Sequence, residues 1–235
     1  MQQFQKQTGL LRKSRLLLVT ELAVLVAGPV LLMGLPVQVL RFSAVFLLAG
    51  YCFWRLKTNN AARTYLRFNW PGCHAAIPGI LLRCFVGSAA IAAIVLAISP
   101  ERLFCIPRAD PVLMLLIVAF YGLISVLPQE IAFRGYAAWR LDAYNIPFAA
   151  GVVLSSALFG WVHILFGSWL SVGLSFAAGL SFYRTYRKYD SLAAVWLEHS
   201  LIGIAIFAIG LDHLFYLGPT PEAFASVCSA TAPAN

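Results

Sequence analysis

Apolar residues run through this chain in long, nearly continuous stretches, and polar residues gather between them. A membrane helix needs roughly 17–25 such residues, and this length is approached or reached at residues 16–33, 36–54, 80–98, 111–127, 146–169 and 192–211. A shorter stretch, residues 171–183, crosses only if its helix is tilted or broken. The runs lack the alternation of a membrane barrel. The pattern therefore predicts an all-α polytopic transmembrane helical bundle of seven to eight helices.

Composition strengthens this prediction. Hydrophobic residues make up 61% of the 235 residues and charged residues only 11%, whereas a soluble domain has about 25% charged residues. No repeat, low-complexity tract or linker divides the chain. We therefore predict one integral membrane domain, residues 1–235, with the lipid bilayer as its surroundings.

The net charge of +8 indicates topology rather than nucleic-acid binding. If the N-terminus is cytoplasmic and seven spans follow, almost every Lys and Arg lies on the inner side; the exceptions are Arg41, Arg102 and Arg108. This is the positive-inside pattern, and it favours an odd number of spans. We predict a multi-pass protein of the inner (cytoplasmic) membrane, with its C-terminus outside. Cys105 and Cys228 would then share the outer side, where a disulfide between them is one alternative.

The most unusual polar cluster is Gln129-Glu130-Ile131-Ala132-Phe133-Arg134-Gly135. Pro128 is expected to interrupt the fourth span, so that residues 129–142 form a new helix at the inner membrane edge. On that helix Glu130 and Arg134 are four residues apart and share a face. They could form an ordinary helix-end ion pair or support a buried site.

Two histidines lie within later apolar runs. His163 follows Phe159 by one helical turn, and it could simply bond to a serine or a carbonyl. His199 lies in the last span beside Glu198, a second carboxylate that could instead face Arg184 or Arg187. Ionisable groups are costly in hydrocarbon and usually serve a function there.

Together these residues resemble the CPBP family of intramembrane proteases, which includes CAAX proteases and bacteriocin-processing enzymes. The family motifs are Glu-Glu-x-x-x-Arg-Gly, Phe-x-x-x-His and His-x-x-x-Asn; here they match residues 129–135, 159–163 and 199–203, within a core at about 111–210. The resemblance implies an endopeptidase that cleaves a membrane-tethered protein or peptide substrate near its membrane-embedded or lipidated end. It implies five site residues: Gln129, Glu130, Arg134, His163 and His199.

Two positions depart from the family motifs. Gln129 replaces the first glutamate, which the resemblance identifies as the base that activates water, and a carboxamide cannot take up that proton. Gly203 replaces the asparagine. Gln129 could be an engineered change, Glu130 could act as the base instead, or the chain could be a natural non-catalytic relative that acts as a scaffold, an immunity protein or a substrate-binding protein.

In the active family members, by resemblance, His163 would place the water, His199 would donate to the oxyanion, and Arg134 and Glu130 would support them. Two histidines and a glutamate also form a zinc set, but the H-E-x-x-H spacing is absent, so no cofactor is predicted and zinc stays a minor alternative. Haem ligation by the two histidines and a transporter are the remaining alternatives. One difficulty is depth, because a fifth span starting near residue 146 puts His163 about 25 Å beyond the inner edge, where Glu130 is expected.

Overall fold

The computed structural model describes residues 2–34 and 38–215. Its helices in chain order are α1 Gln2–Met33, α2 Gln38–Thr58, α3 Trp70–Ile98, α4 Cys105–Ala109, α5 Pro111–Ala143, α6 Phe148–Phe166, α7 Trp169–Tyr189 and α8 Leu192–Ile209. The described residues contain no strand. The all-α helical bundle is confirmed.

Among the described residues, four helices, α3, α5, α6 and α8, are long and apolar enough to cross a membrane, and α1 contains a shorter apolar segment, Val19–Met33. Much of their apolar surface points outward; Leu115 on α5, for example, is 66% exposed. Such surface is stable in lipid but not in water. The chain is therefore a multi-pass membrane protein, whereas the kind of membrane and the orientation of the termini remain predictions.

The helix α5 continues through Pro128, so the expected interruption there is wrong. Two wider, π-helical turns, Gly122–Val126 and Ile131–Tyr136, flank the proline. A proline ring normally clashes with the carbonyl four residues earlier, which here belongs to Ile124 within the first wide turn. Because that turn is expanded, the helix accommodates the proline and extends to Ala143.

The continuous helix also removes the depth difficulty. Helices α5 and α6 are joined by the short turn at residues 144–147 and run in opposite directions, since the Ser155 hydroxyl on α6 donates to the Phe133 carbonyl oxygen on α5. Glu130 lies about 20 Å before the end of α5, and His163 lies about 22 Å after the start of α6. The two residues are therefore at similar distances from the connecting turn.

Small residues let α6 and α7 pack closely. Ser156 and Gly160 on α6 face Gly179 and Phe176 on α7. A Cβ added at Gly160 would lie 2.9 Å from both the Val172 carbonyl oxygen and the Phe176 Cβ. Close approach of this kind is typical of small residues in membrane bundles, and it holds the helix that carries His163.

We expect Gly160→Ala to destabilise the protein by about 1–3 kcal/mol, because the neighbouring backbone must move to admit the methyl group. Gly173→Ala is the matched control, since a Cβ there meets nothing within 4 Å. The midpoint of thermal unfolding in detergent measures both variants. An equal midpoint for the two would contradict the close packing.

Charged and phenolic groups join the helix ends near the 144–147 turn. The Asp142 carboxylate lies 2.7 Å from Arg187 Nη1 and accepts a hydrogen bond from the Tyr65 hydroxyl, also at 2.7 Å. Burial and the Asp142 carboxylate together raise the pKa of Tyr65 to about 12, so its hydroxyl remains a donor at neutral pH. Exposed ion pairs contribute little, but this one ties α5 to α7.

A second polar cluster attaches α1 to the bundle, and the sequence pattern gave no indication of it. The Glu21 carboxylate lies 3.0 Å from Arg140 Nε and accepts hydrogen bonds from the hydroxyls of Tyr51, at 3.1 Å, and Tyr136. On the other side of the bundle, Cys105 is disulfide-bonded. Cys228, its predicted partner, lies outside the described residues.

Candidate active site

The candidate site lies where α5 meets α8, and Glu130 is at its centre. One carboxylate oxygen, Oε1, is 2.7 Å from His199 Nδ1, and the other, Oε2, is 3.2 Å from Arg134 Nε. Glu130 and Arg134 are fully buried, and His199 is 5% exposed. A buried carboxylate needs such partners, since an isolated charge there is very costly.

Arg134 is held by charge and by aromatic rings. Its guanidinium carbon lies 4.2 Å from the ring centre of Phe159 and 5.3 Å from that of Phe182. None of its nitrogens makes a geometrically good hydrogen bond to a residue that the structure describes. Cation–π contacts strengthen when they are desolvated, so the two rings and the Glu130 carboxylate together stabilise the buried cation.

The contact with Glu130 decides which ring nitrogen of His199 carries the proton. An ionised carboxylate can only accept, so Nδ1 must donate. In the neutral imidazole, Nε2 is then a hydrogen-bond acceptor. The ring is also stacked on Phe182, with 4.7 Å between ring centres, which fixes its plane.

His163 has the same tautomer for a different reason. Its Nδ1 lies 2.6 Å from the Phe159 carbonyl oxygen, which can only accept, so Nδ1 donates here too and Nε2 is an acceptor. The Phe159 ring lies between the two histidines, 4.6 Å from the His163 ring and 5.4 Å from the His199 ring. Hydrogen bonding to a carbonyl, one alternative for His163, is therefore present, yet it leaves the second nitrogen available.

Both histidines line one cavity of about 310 Å³. Its walls are mostly apolar, and the other polar side chains on it are Arg83, Ser88, Tyr121, Ser175 and Ser181. The size and the few converging polar groups are typical of a small-molecule or peptide-end binding site. The structure thus places two imidazole acceptors in a largely apolar chamber within the bundle.

Gln129 does not line this cavity. Its side-chain amide nitrogen donates to the Ser125 backbone oxygen at 2.9 Å and lies 3.2 Å from the Ser125 hydroxyl. Adjacent residues of a helix point about 100° apart, so Gln129 and Glu130 cannot both face α8. Of the five predicted site residues, the structure brings Glu130, Arg134, His163 and His199 together and leaves Gln129 apart.

Tyr121 belongs to the site, although sequence reasoning did not find it. Its ring packs against the backbone of Gly203, the second departure from the family motifs. A Cβ at position 203 would lie 2.2–2.5 Å from the Tyr121 ring and hydroxyl atoms. An asparagine at 203 and a tyrosine at 121 therefore exclude each other in this arrangement.

Glu198 faces α3, and the alternative pairing with Arg184 or Arg187 is not the one that the structure shows. Its Oε1 accepts from Arg83 Nε and from the Ser181 hydroxyl, both at 2.7 Å. Arg187 instead pairs with Asp142. Arg83 is 115 residues away in sequence, so no local spacing could have predicted this partner.

The donor chemistry of the site does not fit a metal centre well. Among the described residues, no group of three His, Cys, Asp or Glu side chains is arranged to hold a metal ion. That the protein needs no cofactor remains a prediction.

Comparison with protein families matches residues 111–205 to the Rce1-like family, described as Type II CAAX prenyl endopeptidase Rce1-like. The segment is Rce1-like. The resemblance to the CAAX-protease family is thereby confirmed over α5, α6, α7 and most of α8. This Rce1-like segment contains every predicted site residue, and the likeness is to a family of membrane proteases. Comparisons with curated proteins and with solved structures gave no match.

Proposed function

We propose that the protein is an intramembrane endopeptidase that hydrolyses a peptide bond near the membrane-embedded or lipidated end of its substrate. The contact between Glu130 and His199 carries this proposal. It joins a buried carboxylate to an imidazole whose second nitrogen is available on a cavity. Carboxylate–imidazole pairs of this kind orient the ring and stabilise the imidazolium that forms during acyl transfer.

Peptide hydrolysis in this site would begin with a water bound at His199 Nε2. The imidazole takes one proton from the water as the water oxygen attacks the carbonyl carbon of the peptide bond. The π electrons of that carbonyl move to the carbonyl oxygen, which becomes the oxyanion of the tetrahedral intermediate. When the C–N bond breaks, Nε2 returns that proton to the leaving amine. The Glu130 carboxylate offsets the positive charge on the ring between these two steps.

The remaining residues position this pair. Arg134 places its positive charge 3.2 Å from the Glu130 carboxylate, and Phe182 fixes the His199 ring by stacking. His163 offers Nε2 as an acceptor on the same cavity, where it can hold the water or a substrate N–H. This assignment gives His199 the role of base and not that of oxyanion donor, because its Nδ1 proton is already used by Glu130.

The substrate class follows from the surroundings. A mostly apolar cavity inside a helical bundle favours a substrate that is itself held in the bilayer. The Rce1-like description names prenyl endopeptidases, which supports a lipidated peptide end as one substrate type. The test is cleavage by the full chain in liposomes of matched peptides with a prenylated, a transmembrane or an unmodified C-terminal segment. The proposal is supported if the prenylated or transmembrane peptides are cleaved and the unmodified peptide is not.

The position of Gln129 leads to a further expected result. Because this side chain bonds to Ser125 and does not line the cavity, Gln129→Glu should change kcat by less than about threefold. For comparison, creating or removing a true general base changes rates by about 10²–10⁴. Cleavage rates of the two purified proteins on one tethered peptide measure this.

A non-catalytic relative that binds substrate without turnover is the second candidate. It is favoured by Gln129, which cannot act as a base, and by Gly203 in place of asparagine. This candidate replaces the first if the wild-type chain cuts no peptide and Gln129→Glu cuts one. In that case position 129 is the base, and the residue there has switched the site off.

A further inference from the structure

We propose that the Tyr121 hydroxyl donates the hydrogen bond that stabilises the oxyanion of the tetrahedral intermediate. This inference rests on the proposed endopeptidase function and adds one catalytic residue to it. In the proposed pair, His199 acts as a base through Nε2, and the two histidines present acceptors to the cavity. A developing oxyanion requires a donor in the same place.

Tyr121 has the geometry that this role requires. It lines the cavity with His163 and His199, and its ring meets the His199 ring edge-on, with 6.4 Å between centres. Its other ring neighbour is Phe207, at 5.6 Å, which holds the tyrosine from the far side. The aromatic contacts fix the ring and leave the hydroxyl to a ligand.

The Tyr121 hydroxyl is not used in a hydrogen bond that stabilises the described part of the fold. In the part of the chain that the structure describes, no residue forms a hydrogen bond with it. Buried tyrosine hydroxyls normally have such a partner. A hydroxyl on the cavity without a protein partner is therefore suited to a group that the cavity receives.

Gly203 explains how the tyrosine reaches this position. Gly203 lies one helical turn after His199 and on the same face of α8. The Cβ of a residue at 203 would lie 2.3 Å from the Tyr121 hydroxyl oxygen. The hydroxyl thus lies where a polar side chain from position 203 would begin, and the glycine makes the space for it.

Tyr121→Phe tests the proposal, since it removes the hydroxyl and keeps the ring that packs on Gly203 and Phe207. We expect kcat on the cleaved tethered peptide to fall about 100-fold, as for other single oxyanion donors, with KM changed less than about threefold. Tyr189→Phe, which removes a hydroxyl outside the cavity, is the matched control and should retain full activity.

A second set of variants distinguishes hydrogen-bond donation by Tyr121 from packing of its ring. Tyr121→Ala opens the space beside position 203, and Tyr121→Ala with Gly203→Asn places a carboxamide donor there. We expect the double variant to regain at least about tenfold of the kcat lost by Tyr121→Ala, a coupling that independent sites do not show. Gly203→Asn alone should lose activity, because its side chain meets the Tyr121 ring.

Three outcomes overturn the proposal in distinguishable ways. If the wild type cuts and Tyr121→Phe retains kcat within threefold, Tyr121 is not the donor, while the protease function stands. A rise in KM without a fall in kcat makes Tyr121 a substrate contact only. Absence of cleavage by the folded wild type and all variants removes both this role and the proposed function.

Discussion

His199→Ala is expected to lower kcat by about 10⁴-fold, the largest loss of activity that the structure implies. The imidazole is assigned both proton transfers, from the attacking water and to the leaving amine, and general acid–base groups contribute up to about 10⁴. Alanine also leaves the Glu130 carboxylate without the partner at 2.7 Å. Single-turnover cleavage of a tethered peptide in liposomes measures the effect.

Glu130→Gln tests how much the Glu130 carboxylate adds to catalysis by the His199 imidazole. The carboxamide is nearly the same size, but it carries no charge to offset the imidazolium and can present an N–H to Nδ1, which favours the other tautomer. Loss of the carboxylate in a comparable pair costs about 10⁴, and we expect at least about 10³ here.

His213→Ala is the control for both variants, because His213 follows α8 and does not line the cavity. It should retain activity within about twofold, since a residue outside the cavity contributes no proton transfer to the reaction. If His199→Ala and His213→Ala lower kcat equally, the assignment of the base is wrong. A Glu130→Gln enzyme with wild-type kcat would contradict the carboxylate–imidazole pair.

Most of the fold could be predicted from the sequence because hydrocarbon imposes one strong requirement. Every backbone polar group in the bilayer must be bonded within the segment, so a continuous apolar run such as residues 192–211 implies a helix. The exact ends could not be predicted. Helix α3 starts at Trp70, ten residues before the apolar window at 80–98, because residues 70–79 contain two prolines, two glycines and a histidine, which predict an interruption that the helix does not have.

Pro128 shows where a local rule fails. A proline normally breaks a helix by steric conflict and by loss of a donor, and the sequence contains no indication that a wide turn precedes it. Within the wide turn the Gly122 oxygen accepts from the Leu127 backbone N–H, and it also accepts from Trp196 Nε1 at 2.7 Å. Since that partner lies on α8, only the tertiary structure could reveal that the helix continues.

The candidate site, like the fold, could be predicted from the sequence only in part. The four-residue spacing of Glu130 and Arg134 placed them on one face, and family motifs linked them to His163 and His199. Those relations are local or were taken from the resemblance. The displacement of Gln129 from the cavity and the use of Tyr121 depend on how α5 rotates against α8, which no spacing within one helix specifies.

The largest expected effect on stability belongs to Arg134→Met, which should lower the free energy of unfolding by about 3–5 kcal/mol. Methionine fills similar space between Phe159 and Phe182, so the loss comes mainly from charge. The fully buried Glu130 carboxylate would keep only His199 as a partner, and breaking a buried ion pair on one side has this cost. Reversible unfolding in mixed detergent–SDS micelles measures the free energy.

Two comparisons show whether charge is the cause. Arg184→Met removes an arginine on the exposed side of α7 that, among the described residues, hydrogen-bonds to the Leu180 carbonyl alone, and it should change stability by less than about 0.5 kcal/mol. Glu130→Leu combined with Arg134→Met removes both charges, and it should cost at least about 1 kcal/mol less than Arg134→Met alone, because no buried carboxylate is left unpaired. If the double variant is instead less stable than Arg134→Met alone, by as much as the change at position 130 would cost in packing, then packing rather than ion pairing stabilises Arg134. In that case Arg134 would not be the cation that stabilises the Glu130 carboxylate. The proposed roles, in which Glu130 and His199 act as the catalytic pair and Arg134 supports them by its charge, would then be wrong.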